Sequence, residues 1–492
     1  MVRLLTQQPQ RRIIHPVGPI DTTLLQILSE GRNGLQKLAL FDGERTDREV
    51  DRRALPQQEQ NLEQCERILA AGKANRDAVP VPDHVEPADR LAHFAQNGLL
   101  KIQTPIIRVV SPSRRAAFEI LSAVEAGGLT STLLPERTAA LDPRDAGLAT
   151  ELVLGVLRRR AQLHFLLNQR TARPAGSLDL PVRLALELGA YQLRFLDRIP
   201  PHAAVGESVE LVKQAGKRSA AGFVNAILRR LPTLPGAWPS DELRACLPAW
   251  LLARWQRQFG PEAALAAAEA ALQTPPCYVR VPPGVEPPPG LEPTGLPGCF
   301  LAAAGPPPGL RIMDMGAQSV VPLLDLRPGQ RFLDLCAAPG NKTALALETP
   351  NLFAVACDAS PRRLRRLLLD AGAAARVRLD AAQPLPFGPV FDRILVDAPC
   401  SGTGTIARHP EIKSRLVPED LVRHASRQRA ILRHALACLR PGGLLVYATC
   451  SLEPEENTEV LAAEAAGRVE QTVLRLPGRD PGDGFHTAVV RG

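Results

Sequence analysis

A chain of 492 residues is too long for one ordinary core and divides into roughly two to four domains. Its 45% hydrophobic and 22% charged residues mark a globular protein, and 59 Lys+Arg against 51 Asp+Glu, a net charge of +8, favour a polyanionic partner without specifying one. Nine cysteines without a CxxC pair argue against a metal site or a disulfide framework, and neither an apolar leader at Met1–Gln8 nor a membrane-length apolar run occurs, so the expectation is a reduced, cytoplasmic protein with no metal and no membrane contact.

Residues 1–110 are polar and irregular, with runs such as Glu44-Arg45-Thr46-Asp47-Arg48-Glu49. A short helix is expected over 61–71, and the rest reads as a disordered extension of unassigned role. At Ser111-Pro112-Ser113 the character changes to a capped amphipathic helix carrying Ala117, Ile120, Leu121 and Val124 at helical spacing. Further helices are predicted at 145–160, 161–169, 181–195, 203–214 and 220–231, making an all-helical domain over 111–240. Its basic groups, Arg158-Arg159-Arg160, Lys213, Lys217-Arg218 and Arg229-Arg230, leave two readings open. They are either solvated helix ends complementing the dipole or a surface for RNA phosphates.

After a proline-rich break at 232–238, two helices at 247–257 and 261–272, a strand at 278–281 and proline tracts at 282–289 and 306–308 read as a small linker domain over 245–310. From 311 to 492, short apolar strands at 332–335, 352–357, 375–379, 393–396 and 444–448 alternate with helix-sized stretches. That alternation predicts an α/β, doubly wound, Rossmann-like sheet, whose ligands sit beyond the carboxyl ends of the strands.

The residues following those strands carry the chemistry. Strand one leads into Cys336-Ala337-Ala338-Pro339-Gly340-Asn341-Lys342-Thr343 at the opening of a helix, where small residues let a ligand approach the backbone. Lys342-Thr343 ends like a phosphate-binding loop, but Cys336 and Asn341 stand where that motif requires glycine. Asp358, Asp380 and Asp397 end strands two, three and four, and an acid after strand two can accept from both ribose hydroxyls of an adenosine moiety. Cys400, in Asp397-Ala398-Pro399-Cys400-Ser401-Gly402, and Cys450, in Thr449-Cys450-Ser451, project toward the same edge, whereas Cys357 and Cys438 read as buried structural thiols in a strand and a helix. Two cysteines and an aspartate beside a nucleoside pocket suit methylation of cytosine C5. A thiolate adds at C6 to make C5 nucleophilic, a carboxyl holds N3, and a base later removes the C5 proton.

Residues 113–492 are identified with the NOL1/NOP2/sun family of RNA cytosine-5 methyltransferases, in its bacterial small-subunit rRNA branch. The resemblance rests on Leu335-Cys336-Ala337-Ala338-Pro339-Gly340, Asp397 through Gly404, His409-Pro410-Glu411-Ile412-Lys413, Thr449-Cys450-Ser451 with Glu455-Glu456-Asn457, and Gly482-Asp483-Gly484-Phe485. The helical region resembles a NusB-like RNA-binding domain through 151–158, 188–193 and 222–229. The resemblance implies S-adenosyl-L-methionine as cofactor, held by Cys336, Ala337, Ala338, Pro339, Gly340, Asn341, Lys342, Asp358, Asp380 and Asp397. It also implies Cys450 as nucleophile, Cys400 in product release and Asp397 at N3 of the base. The implied substrate is a cytosine of 16S rRNA in an unassembled or partly assembled small subunit, and the implied enzyme is a monomer. A non-catalytic RNA-binding or antitermination module, and the same chemistry on tRNA or another rRNA site, are the alternatives. Asn341 replaces a family glycine, a change a left-handed turn tolerates, and Ser414 replaces a family tryptophan near the Pro-Cys loop.

Overall fold

The computed structural model describes residues 110–492 apart from 368 and 370–372, together with three short strands ahead of them, Val2–Leu4, Ile13–Pro16 and Leu38–Leu40 (β1–β3). The helix expected over 61–71 lies outside the described residues. The three strands had no sequence signal, because runs of three or four residues carry no readable period. Among the described residues no helix is long and apolar enough to cross a membrane.

The helical region contains α1 (Pro112–Glu125), α2 (Thr130–Thr138), α3 (Pro143–Asn168), α4 (Leu180–Phe195), α5 (Pro201–Gln214) and α6 (Ala221–Arg229). The two helices expected at 145–160 and 161–169 are one. Asp142 caps its start by accepting from the Arg144 and Asp145 amides, Pro143 follows at the first turn, and no glycine or proline interrupts the Arg-Ala junction. Helix α2 went unpredicted because Pro135 inside it reads as a breaker. Ile120, Leu121, Leu152, Leu163, Leu166, Leu184 and Val224 are fully buried in one cluster, each contributing about 1.5–3 kcal/mol of burial.

Next come α7 (Asp241–Ala245), α8 (Ala249–Phe259) and α9 (Pro261–Ala270), whose Trp255 and Ala267 bury against Ile406, Leu452 and Leu476. The linker region also holds an antiparallel sheet of β4 (Tyr278–Arg280), β5 (Glu292–Pro293), β6 (Cys299–Leu301) and β7 (Arg311–Ile312), in the order β5-β6-β4-β7. Only its first strand had been predicted.

The principal sheet is built on β8 (Arg331–Asp334), β9 (Phe353–Asp358), β10 (Ala375–Arg378), β11 (Phe391–Asp397) and β12 (Leu439–Thr449), these five parallel to one another. Two strands absent from the sequence reading, β13 (Val469–Arg475) and β14 (Phe485–Arg491), extend it antiparallel beside β12. On the opposite edge, β2 pairs antiparallel with β10. The order β13-β14-β12-β11-β8-β9-β10 reverses direction between β8 and β11, which places the crevice for a ligand beyond their carboxyl ends. Helix α14 (Pro418–Leu436) and α15 (Thr458–Glu464) cover one face around Phe391, Ile394 and Tyr447. The other face packs Phe332, Leu395 and Val446 against α10 (Met315–Gln318) and α11 (Asn341–Ala346), as a doubly wound sheet requires, and α12 (Pro361–Arg365) buries Leu364 with Ala356.

Candidate active site

The turn from β8 into α11 starts at Asp334, a buried carboxylate at the strand end. It accepts from Thr343 Oγ1 at 2.7 Å and from the Cys336 amide at 3.3 Å. Burial pushes Asp334 up to about 7, with Asp397 adding to the rise against Thr343 and Lys342. Ala337 and Ala338 are buried, and burial pushes the Cys336 thiol up. Gly340 takes the left-handed turn, with φ +107°. Asn341 is therefore the first helical residue and needs no left-handed conformation, contrary to the expectation for it. Its Oδ1 accepts from Arg311 Nη1 at 3.1 Å.

The three strand-end aspartates differ. Asp358 is 4% exposed, and its Oδ1 accepts from the Ser360 amide at 2.8 Å while Arg363 stands 3.5 Å from its Oδ2. Asp380 is exposed, accepts from the Ala382 amide and pairs with Arg427 at 3.2 Å. Asp397 meets Lys342 Nζ at 2.7 Å, and the Phe485 ring lies 5.1 Å from the same ammonium. Burial works against the Lys342 charge, but Asp397, Cys450 and Asp334 outweigh it and leave the ammonium above its ordinary value.

Cys400 and Cys450 meet at an Sγ–Sγ distance of 3.4 Å. The hydrogen bond to Cys450, together with burial and the nearby Glu456, holds Cys400 well above the ordinary thiol range, so it stands as a neutral thiol. Cys357 is buried in β9 as expected, whereas Cys438 lies between α14 and β12 rather than inside a helix. The Cys400 loop is laced to its surroundings. Gly404 donates its amide to the Cys450 carbonyl at 2.9 Å and accepts from the Gly484 amide at 2.8 Å, an approach so close that a Cβ at 404 would lie 2.3 Å from the Gly484 oxygen. Arg408 then bridges Asp483 at 2.7 Å and Asp314 at 2.8 Å.

Beyond Arg408 the chain docks on the helical region. Glu411 accepts from the Thr130 amide at 3.1 Å and its hydroxyl at 2.8 Å, Arg158 Nε donates to the Ala407 carbonyl at 2.8 Å, Lys413 donates to the Arg158 carbonyl, and Arg415 donates to the Val124 carbonyl at 2.8 Å and the Gly128 carbonyl at 2.6 Å. These contacts overturn the helix-end reading of Arg158-Arg159-Arg160 and take Arg158 out of reach of solvent. The triplet lies inside α3 rather than at a helix end: Arg158 is 2% exposed, Arg160 pairs with Glu125 and Glu187, and Arg159 stacks on Phe195. Ser414, in contrast, is exposed, and its hydroxyl donates to the Glu411 carbonyl.

Sequence reasoning gave no role to Asp334, Arg408 or Glu456. A charge inside the apolar run Phe332-Leu333-Asp334-Leu335 was the available signal for the first. Glu456 was visible only as part of a motif. Among the described residues no cluster of three or more His, Cys, Asp or Glu could hold a metal ion.

Residues 321–481 match the family described as 16S rRNA methyltransferase RsmB/F, and residues 111–232 match the NusB family. Ribosomal RNA small subunit methyltransferase B of Klebsiella pneumoniae subsp. pneumoniae is 35% identical over 419 residues, covering 76% of this chain and 96% of that protein. The protein of the same name from Escherichia coli O1:K1 / APEC is 34% identical over 417 residues, with shares of 76% and 96%. The crystal structure of PH0851 shares the fold, with a TM-score of 0.64 and 19% identity over 78% of this chain and 99% of its own. With relatives of that identity aligned over nearly their whole length, the chain belongs to the RsmB/F family of 16S rRNA methyltransferases and carries a NusB-family region ahead of its methyltransferase sheet.

Proposed function

We propose that this protein methylates C5 of a cytosine in 16S rRNA, in the cytoplasm, through a covalent adduct between Cys450 Sγ and C6 of the base. S-adenosyl-L-methionine is the cofactor and supplies an electrophilic methyl group when bound. The chain fits it. Small buried Ala337 and Ala338 flank the turn, and the Asp358 carboxylate keeps acceptor capacity for ribose hydroxyls beyond the Ser360 amide it already accepts. Cys336 to Lys342, Asp358, Asp380 and Asp397 would hold the cofactor.

The roles follow from the charges around the two thiols. Cys400, kept neutral, can donate its S–H to Cys450, and we therefore assign the nucleophilic thiolate to Cys450 and not to Cys400. That thiolate adds to C6, N3 takes a proton from solvent, and Asp397, held by Lys342, accepts the N3–H. C5, now enamine-like, takes the methyl group. Once Cys450 Sγ is bonded to carbon it carries no charge, so the interaction that most strongly protonates Cys400 is gone. Cys400 can then lose its proton to water, remove the C5 proton and let the C6–S bond break, returning the thiolate to Cys450. The helical region would hold structured RNA while one base is splayed into the crevice.

The observation that carries this reading is the 3.4 Å thiol pair beside the Lys342–Asp397 ion pair at the sheet's switch point. RNA containing 5-fluorocytosine, in which the C5 position cannot lose a proton, should trap a covalent protein–RNA complex with the native chain and with Cys400→Ala but not with Cys450→Ala. An adduct that persists in Cys450→Ala and disappears in Cys400→Ala would reverse the assignment. Bisulfite mapping of 16S rRNA and tRNA transcripts after incubation with the enzyme should place the new 5-methylcytosine in the 16S transcript alone.

A further inference from the structure

The segment after Cys450 returns a carboxylate between the two cysteine loops. Glu456 is fully buried. Its Oε1 accepts from the Ser401 amide at 2.8 Å and from Gln428 Nε2 at 3.1 Å, and its Oε2 accepts from the hydroxyls of both Ser401 and Ser451. Ser401 directly follows Cys400, and Ser451 directly follows Cys450. A serine hydroxyl has one proton, so with both protons given to Glu456 the two serine oxygens, 3.1 Å apart, are brought together by the carboxylate rather than by a bond of their own.

Glu456 is itself held. Tyr447 Oη donates to its carbonyl at 2.7 Å, and the next residue, Asn457, accepts from Thr449 Oγ1 and donates to the Ser451 carbonyl at 2.9 Å. The same chain thus fixes Thr449 and Ser451 on either side of the nucleophile. Stability alone gives no reason for such an arrangement, because a buried charge with polar partners is often no more stabilising than an apolar replacement. The two loops come from different strands, β11 and β12; beside the ladder between those strands, the Gly404 amide and Thr403, which accepts from the Leu452 amide at 2.9 Å, Glu456 is the carboxylate that joins the residue after one cysteine to the residue after the other. A hydrogen bond between sulfur atoms weakens with each fraction of an ångström, so the separation of the thiols needs such a tie.

We propose that Glu456 is a positioning residue that clamps Ser401 to Ser451 and thereby sets the distance between Cys400 and Cys450. It touches no substrate and acts only through the two serines. The inference rests on the reading of Cys450 and Cys400 given above, and the two can fail separately.

The test uses the full chain with 16S transcript and cofactor. Glu456→Gln keeps size and one acceptor oxygen but cannot accept from all four donors. It should lower kcat about 100-fold while the KM values for RNA and cofactor stay within about twofold. Ser401→Ala and Ser451→Ala should each cost about tenfold, and neither should add its full effect to Glu456→Gln, because all three remove the same clamp. The arms should also separate by step. Ser451→Ala should slow adduct formation on 5-fluorocytosine RNA, and Ser401→Ala should make adduct accumulate on ordinary RNA, since it disturbs release. Full additivity, or an unchanged kcat in a folded Glu456→Gln protein, would overturn the proposal. If Glu456→Gln does not fold, the serine variants decide: native rates of both adduct formation and release in the two would overturn it equally. Trapping that survives Cys450→Ala would sink the nucleophile assignment, whereas trapping lost there with native kinetics in both serine variants would sink the clamp alone.

Discussion

Lys342 stands where two interactions compete. Its ammonium pairs with Asp397 and couples to Cys450, and these attractions hold it charged through neutral pH despite burial. Removing that charge leaves Asp397 without its partner at the place proposed for the base, so the base is held less well. In Lys342→Met the single-turnover rate of adduct formation on 5-fluorocytosine RNA should therefore fall about tenfold relative to the native chain. An unchanged rate in a folded variant would deny Lys342 any part in adduct formation. From the sequence Lys342 could be placed at the cofactor turn but not beside Asp397. Residues 342 and 397 are brought together because β8, which leads into α11, lies beside β11 in the sheet although the two strands are far apart in the chain. The two cysteines were easier to foresee, since each directly follows an apolar strand of a predicted parallel sheet and such strand ends share one edge.

Among the elements, the short helix α13 (Ile412–Arg415) joins the Cys400 loop to the helical region, and Lys413 within it is a titrating contact. Burial lowers Lys413 to about 8, with Cys246 working against that shift and Arg158, Arg159 and Arg160 adding to it. An unfolded chain keeps the same proton until about pH 10.4. Below pH 8 the lysine is charged in both states and its full penalty weighs on the folded one. Between pH 8 and about 10.4 the unfolded state binds the extra proton, so this group's contribution to stability rises with pH. Melting temperatures measured from pH 7 to 9.5 should therefore fall less, or rise more, in the native chain than in Lys413→Met, whose curve lacks that contribution. Parallel curves would show that the lysine is solvated. Elements with strong periods were legible, namely α4, α5 and the five parallel strands. Those that failed had local reasons: Pro135 hides α2, the mixed sequence Val-Glu-Gln-Thr-Val-Leu-Arg hides β13, and the Arg triplet suggested a helix end where α3 runs on.

At the level of the whole molecule, the buried and half-buried hydrogen bonds that join helical region to methyltransferase sheet land on residues 407–415, the continuation of the loop that carries Cys400, with an exposed Arg362–Glu136 pair at 3.3 Å beside them. Arg158 is buried there, and burial lowers its pKa, so the charge is retained at a cost that the Ala407 carbonyl offsets in part. Removing one partner of such a buried polar contact is more damaging than exchanging both, because the remaining group stays dehydrated and unpaired. The sequence divided the chain into successive domains and gave no sign of this seam, since Thr130 and Glu411 are 281 residues apart. Tight docking implies that the two regions unfold together. Calorimetry of the full chain should give one transition for residues 110–492, with calorimetric and van't Hoff enthalpies in agreement. Replacing Glu411 and Arg415 together by alanine should uncouple the regions into two transitions and lower kcat more than affinity for RNA, because the Cys400 loop loses its outer anchor while the helical region stays folded. Two transitions already present in the native chain would mean that the seam is weak and that the helical region has no mechanical route to the thiols.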